Sequence, residues 1–274
     1  MSLYKYCNSN GKLIVQNLQI KVCPPNKLND PCEMRPVVKT SDHNEAAKQT
    51  AKRAVVHPSF YNHHRHEFPK YKNFSKFQKF ARANMGIMIR ALEENTERLE
   101  HQLRDDIPEI LSEQFGIISF SKELFSNLMW AHYGDSHKGL VVEFDEKNEL
   151  FSGPGFLECE YVDEPAVYDP IHRESREQVV AFSRRKHSDW SYEKESRLIV
   201  PLEVCRKQTV GGGILQLLPL ESEIIVSVTF GLRASESLQA DVKKALEKPN
   251  LQHVKLWRIT ENGQPGNYLR EPLG

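Results

Sequence analysis

The sequence predicts an α+β protein built on a mixed, mostly antiparallel sheet with a helical insertion. Three observations lead there. Short segments alternating apolar with polar residues stand near both ends of the chain. Apolar residues recur at helical spacing between His43 and Glu113. From Gly116 onward the period falls back to two. The expected organisation is an α+β core formed by 1–38 and 114–274, with 39–113 inserted as a helical bundle against the sheet.

In chain order, Leu3–Tyr6 alternates as a strand and Asn8-Ser9-Asn10-Gly11 has the composition of a turn. Leu13–Leu18 is compatible with a short helix or a strand, and Gln19–Cys23 reads as a strand. The segment PPNKLNDPCEMRP is loop because proline removes backbone donors, and Asn29-Asp30-Pro31 initiates a turn. In the insertion, Ala46, Ala47, Ala51, Ala54 and Val55 form one helical face. Phe74, Phe77, Phe80 and Ala81 form a second, which Met85, Met88, Ile89 and Leu92 extend toward Leu99 and Leu103; a break is expected at Pro108. Gly116–Ser121 and Phe156–Val162 are strands, and Ser175–Lys186 is a helix. Ile214–Leu218, Ile224–Phe230 and Val254–Ile259 are strands, Ser235–Leu246 is an amphipathic helix, and the tail is coil. Gly211-Gly212-Gly213 reads as a flexible connector, lacking the lysine and the strand–helix context of a phosphate loop.

Composition narrows the classes. No apolar run approaches the roughly 18 residues of a membrane helix, and MSLYKYCNSNGKLIV has no basic end leading into a long apolar core. A cytoplasmic chain with no membrane association is expected. The cysteines at 7, 23, 32, 159 and 205 form no C-x-x-C pair, so reduced thiols are expected rather than zinc ligands or disulfides. His63, His64 and His66 lack the four-residue spacing that chelates on a helix, and no metal site is expected. Net charge is zero, yet Lys39–Leu92 carries 11 Lys+Arg against 3 Asp+Glu. Glu93–Glu113 carries 2 against 8. The basic segment 39–92 is the expected contact for a protein partner or nucleic acid; the plainer reading is a solvated face paired with the acidic run.

Two stretches concentrate chemistry. Asn127–Phe144 reads as a helix (Asn127–Tyr133), a polar loop (Gly134–Lys138) and a strand, presenting Trp130, His132, Tyr133, His137 and Lys138. Asp189–Leu202 holds Trp190, Tyr192, Glu193, Glu195 and Arg197. Written as a strand, it puts Trp190, Tyr192, Lys194 and Ser196 on one face and Ser191, Glu193, Glu195 and Arg197 on the other. The plainer readings are Trp130 and Trp190 as core anchors, His132 as a packed histidine, and Glu195 with Arg197 as a buried ion pair.

LYKY, NDP, SFS, NLMWAHYGDSHKGLVVEFD and WSYEKESRLIV, in this order, resemble the bacterial domain-of-unknown-function family 2971, with IIVSVTFGLR similar to its late strand. Cys7 stands where the family's LYKYR has arginine. The resemblance implies an effector of anti-phage defence or of a toxin–antitoxin system.

Three activities fit the residues. The first is an ADP-ribosyltransferase-like enzyme using NAD as substrate. An early LYKY strand with Tyr4, a middle F-S strand and a late Glu strand are loosely similar to the layout of ADP-ribosyltransferases. Glu195 or Glu193 supplies the carboxylate facing an oxocarbenium-like state, Trp130, Tyr133 or Trp190 stacks nicotinamide, and Ser121 or His132 holds ribose. His137, Lys138, Tyr192 and Arg197 complete the expected binding set. The second is a nuclease, with His132 as general acid or base and Lys138 or Arg197 facing the phosphorane. The third is a sensor or partner-binding protein without catalysis. Common to the first two is the expectation that the polar loop and the glutamate segment face one cleft.

Overall fold

The computed structural model describes residues 2–66, 68–171 and 175–273. Of the positions read from the sequence, the side chains of His63 and Leu99 lie outside that description. The chain runs β1 (Ser2–Cys7), α1 (Lys12–Asn17), β2 (Gln19–Val22), β3 (Val37–Val38), α2 (His43–Val56), α3 (Pro58–His64), α4 (Phe74–Ala83), α5 (Met85–Glu93), α6 (Thr96–Ser112), β4 (Phe115–Ser121), α7 (Asn127–His132), β5 (Leu140–Asp145), β6 (Phe156–Glu158), β7 (Glu160–Tyr161), β8 (Val167–Tyr168), α8 (Ser175–Arg184), β9 (Arg185–Lys186), β10 (Glu195–Pro201), β11 (Arg206–Val210), β12 (Gly213–Pro219), β13 (Ile225–Phe230), α9 (Glu236–Leu246), β14 (Lys255–Glu261) and β15 (Tyr268–Pro272). It divides into two compact units, one of Met1–Cys23, Phe115–Tyr161 and Lys186–Gly274, the other of Pro24–Gln114 and Val162–Arg185.

The first unit is built on an eight-stranded sheet ordered β15-β14-β13-β5-β1-β4-β10-β6. Every pairing is antiparallel except β13 with β14, which α9 connects as a crossover. This is the α+β class with a mostly antiparallel mixed sheet that the alternation predicts. One face is apolar: Leu3, Ile118, Phe120, Val142, Phe144, Leu198, Val228 and Phe230 pack with Ile14 and Val15 of α1 and with Leu238 and Val242 of α9. Each such side chain contributes roughly 1.5–3 kcal/mol when fully buried. The opposite face is polar along one row. Glu195 pairs with Ser121, Ser121 with Tyr4, Tyr4 with Glu143, and Glu143 with Ser227. Directly paired residues share a face, so five strands set these side chains side by side.

One open local expectation is decided and several are corrected. Leu13–Leu18 resolves as helix α1, closed by Leu18 in a left-handed conformation at φ 50°. Gly211 and Gly212, at φ 56° and 80°, form the tight turn of a hairpin between β11 and β12 instead of a loose connector. The tail is strand β15, whose Tyr268, Leu269 and Arg270 pair with β14. The Phe156–Val162 strand is split into β6 and β7.

The second unit holds α2–α6 around an aromatic core of Phe60, Tyr61 and Phe77 with Ala54, Val55 and Ala81. The parallel pair β3–β8 binds Val162–Arg185 into this unit. Helix α6 runs through Pro108 instead of breaking there. Proline removes one backbone donor but leaves the following turns intact, and Ser112 Oγ donates to Pro108 O at 2.6 Å. All five cysteines are thiols. Among the described residues no helix is long and apolar enough to cross a membrane.

Candidate functional site

The site begins with α7. Ser126 caps it, its hydroxyl accepting from Met129 N at 3.3 Å. Trp130 is fully buried, donates from Nε1 to Leu124 O at 2.8 Å and meets Tyr6 edge-on at 5.2 Å. It is the core anchor of the plainer reading. After the helix, Asp135, Ser136 and His137 have φ of 51°, 51° and 68°. Consecutive left-handed residues other than glycine cost about 1–2 kcal/mol each, so neighbouring contacts must hold this turn. Arg233 N donates to His137 O at 2.8 Å and Gly231 N to Gly139 O at 3.0 Å. A Cβ on Gly231 would lie 2.3 Å from His137 O, and one on Gly139 would lie 2.0 Å from Cys7 O. Both positions need glycine because backbone presses directly on them.

The turn divides its own side chains. His137 lies nearly parallel to Trp130, at 5.4 Å and 9°, and its Nε2 meets the Tyr268 hydroxyl at 3.1 Å. Burial first, then the Arg233 charge, hold His137 below the ordinary histidine value. Lys138 is exposed. Neither residue reaches the glutamate segment. Tyr133 does: its hydroxyl donates to Glu193 Oε1 at 2.6 Å.

The glutamate segment is not one strand. Ser188–Glu193 is a 3-10 helix, and Lys194, left-handed at φ 43°, redirects the chain into β10. The two-faced strand pattern is therefore corrected, yet Glu193 and Glu195 still converge. Lys186 Nζ lies 2.5 Å from Glu193 Oε2 and 2.8 Å from Glu195 Oε2. Arg197 donates Nε to Glu195 Oε1 at 2.9 Å and Nη2 to Oε2 at 3.1 Å, a bidentate clamp. Exposure of these four side chains is 5% or less. Tyr161 Oη accepts from Glu195 N at 2.6 Å, and Ser121 Oγ donates to Glu193 O at 2.6 Å.

The two carboxylates differ in character. Burial alone would raise the Glu195 pKa, but the charges of Arg197 and Lys186 outweigh it and hold Glu195 well below the usual carboxylate range. For Glu193 burial dominates over Lys186 and the Tyr133 hydroxyl, and its pKa is raised. Glu195 is thus a fixed anion with its oxygens occupied. Of the two carboxylates, Glu193 is the one whose protonated form burial favours.

Around Glu193 the rings form a rim. Tyr192 and Trp190 lie 6.1 Å apart, Tyr192 and His132 6.2 Å, and His132 and Tyr133 6.3 Å. Tyr133, Trp190 and Tyr192 are partly exposed, and His132 is exposed rather than packed among apolar residues. The Lys186 ammonium sits 5.1 Å from the Trp190 ring centre. Tyr4 stands along the polar row between Ser121 and Glu143. Tyr4, Ser121, Tyr133, Trp190, Tyr192, Glu193, Glu195 and Arg197 thus form one continuous region with His132 at its edge, while Trp130 lies beneath and His137 and Lys138 to the side.

Residues 129–198 match a family model described as "Protein of unknown function (DUF2971)". Over this span the chain is similar to that family. The match overlaps NLMWAHYGDSHKGLVVEFD and WSYEKESRLIV, while LYKY, NDP, SFS and IIVSVTFGLR lie outside it. The DUF2971 span contains Tyr133, Lys186, Glu193, Glu195 and Arg197, the whole ion cluster. No curated protein and no solved structure matches the chain.

Sequence reasoning missed Lys186, Tyr161, Glu143, Ser227 and Arg270. The signal for Lys186 was charge balance: two buried glutamates with one arginine lack a cation. Glu143 was visible as the single charge within LVVEF. It accepts from Ser227 Oγ at 2.5 Å and Arg270 Nη1 at 2.9 Å, which outweigh burial and lower its pKa.

Proposed function

We propose that the rim above Glu193 binds NAD and that the chain is an ADP-ribosyltransferase-like enzyme. The observation that carries this reading is the state of Glu193. It is a buried carboxyl with raised pKa, held on one oxygen by Lys186 and on the other by the hydroxyl of partly exposed Tyr133. A ribose hydroxyl offers the same donor that Tyr133 offers. Tyr133, Trp190 and Tyr192 give flat, partly exposed faces on which a nicotinamide ring stacks.

In the proposed reaction the glycosidic C–N bond of NAD breaks and nicotinamide leaves with the bonding electrons. The oxocarbenium-like carbon is faced by ionised Glu193 and captured by an acceptor O–H or N–H, whose proton passes to that carboxylate. A raised pKa makes Glu193 the stronger base of the pair. Glu195 and Arg197 position it through Lys186. This gives Glu193 the role that sequence reasoning divided between two glutamates. An NAD-consuming activity suits the defence or toxin effector that the family resemblance implies.

A nuclease is supported less well, because Arg197 is only 1% exposed and is occupied by Glu195, so it offers nothing to a phosphorane. Binding of a nucleotide without turnover is the second reading, favoured by the closure of Glu193 under Tyr133. Calorimetric titration of the full chain with NAD tests the shared part. Binding is expected, weakened about 5- to 150-fold by Tyr192→Ala, since one ring–base stack is worth roughly 1–3 kcal/mol. No binding to folded protein overturns both readings.

A further inference from the structure

The second unit carries a basic surface that the first unit's chemistry does not use. From Phe68 to Leu92 the chain has six basic residues, Lys70, Lys72, Lys76, Lys79, Arg82 and Arg90, and no Asp or Glu. The plainer sequence reading pairs them with the acidic run Glu93–Glu113. Four acids of the run Glu93–Glu113 are engaged elsewhere. Glu93 accepts from Asn44 Nδ2, Glu100 from Thr40 N and Glu109 from Asn26 Nδ2, while Glu113 pairs with His57. None of the six basic residues enters an ion pair with a described residue.

Their placement is fixed from behind. Helix α4 buries Phe77 and Ala81 completely in the unit's core and leaves Lys76, Lys79 and Arg82 exposed. Three-residue spacing at 1.5 Å rise sets successive charges about 4.5 Å apart along the helix. Lys72 precedes the helix and is held beside it: Tyr71 stacks on Phe80 at 4.7 Å, and Tyr61 Oη donates to Tyr71 O at 2.5 Å. The apolar side of α4 is already occupied, so this helix cannot turn it toward a lipid surface.

We propose that Lys72, Lys76, Lys79 and Arg82 form a phosphate-backbone contact for nucleic acid. A pre-positioned row of cations that enter no ion pair with a described residue can neutralise phosphates, and phosphate contacts position a backbone without reading sequence. This inference stands on the second unit alone and is independent of the NAD reading.

The test is fluorescence anisotropy of the full chain with a short labelled oligouridylate and a short labelled DNA duplex over a range of salt. Four contacts predict a slope of log K against log salt of about −2.8 for the single strand and about −3.6 for the duplex. The triple variant Lys76→Gln, Lys79→Gln, Arg82→Gln leaves one contact, so its slope should fall to about −0.7 and about −0.9. Arg206→Gln with Lys207→Gln, on exposed β11 of the other unit, should change neither. Circular dichroism confirms that each variant is folded. Absence of binding at low salt overturns the proposal, as does a triple variant with the parent slope. Binding of phosphatidylserine vesicles without oligonucleotide binding also overturns it and assigns the surface to a membrane.

Discussion

Replacing Glu195 by glutamine tests how the ion cluster is held. The change is nearly isosteric, so little packing is lost. What disappears is the one charge that Arg197 and Lys186 share, and Arg197, 1% exposed, cannot turn to water. Breaking a buried pair by removing one partner costs about 3–5 kcal/mol. For a folding unit of 150–250 residues each kcal/mol moves the midpoint by about 2–4 °C, so a fall of about 6–20 °C is expected in the first unit's transition. The assay is thermal unfolding followed by near-ultraviolet circular dichroism, where Trp130 and Trp190 report on that unit. Adding Arg197→Met removes the stranded cation and should return part of the loss, giving a double-mutant coupling above about 1 kcal/mol. A drop of less than about 3 °C for Glu195→Gln, with no coupling, would refute the claim that this cluster is a sealed charge network. The expected size also means that loss of activity in Glu195→Gln does not by itself separate catalysis from folding. Glu193→Gln does, because Lys186 keeps its bond to Glu195.

Two further outcomes follow from the titrating groups. Tyr133→Phe removes a bond that lowers the Glu193 pKa; a hydrogen bond to a charged group is worth about 1.5–3 kcal/mol. The limb on which activity rises as Glu193 ionises should therefore shift to higher pH by about 1–2 units, read from the pH profile of the rate; an unmoved limb excludes Glu193 as the titrating group. His137 is held below its ordinary value of 6.5 by burial and Arg233. Its folded form resists protonation, so its contribution to stability is present above that value and declines as pH falls below it. Denaturant titrations between neutral pH and pH 5 should show a shallower loss of stability in His137→Phe than in the parent; equal slopes refute the assignment.

What the sequence made legible was what period and residue type determine locally. Alternation in LYKY and in LVVEF places Tyr4 and Glu143 on the face opposite Leu3 and Phe144, and this is the face that carries the site. Helical spacing in Phe74–Ala83 gave the buried edge of α4. Position 194 was not legible: a lysine in the left-handed region has no propensity signal, so the path from Glu193 to Glu195 looked like strand. Strand β15 was hidden because its partner β14 is fixed by long-range pairing, and YLREP alone alternates weakly. Lys186 was hidden by the element it was read into, although it touches both glutamates. Read as the end of a helix, it gave no sign that it turns inward between two glutamates.

The most direct measurement is nicotinamide release from NAD by the purified full chain, followed by chromatography at neutral pH. Release by the parent, abolished in a Glu193→Gln variant that melts within a few degrees of the parent and still binds NAD, is the predicted result. Folded parent protein that binds NAD and releases no nicotinamide with or without candidate acceptors, or a Glu193→Gln variant that releases it at the parent rate, would contradict the assignment of Glu193 as the catalytic carboxylate.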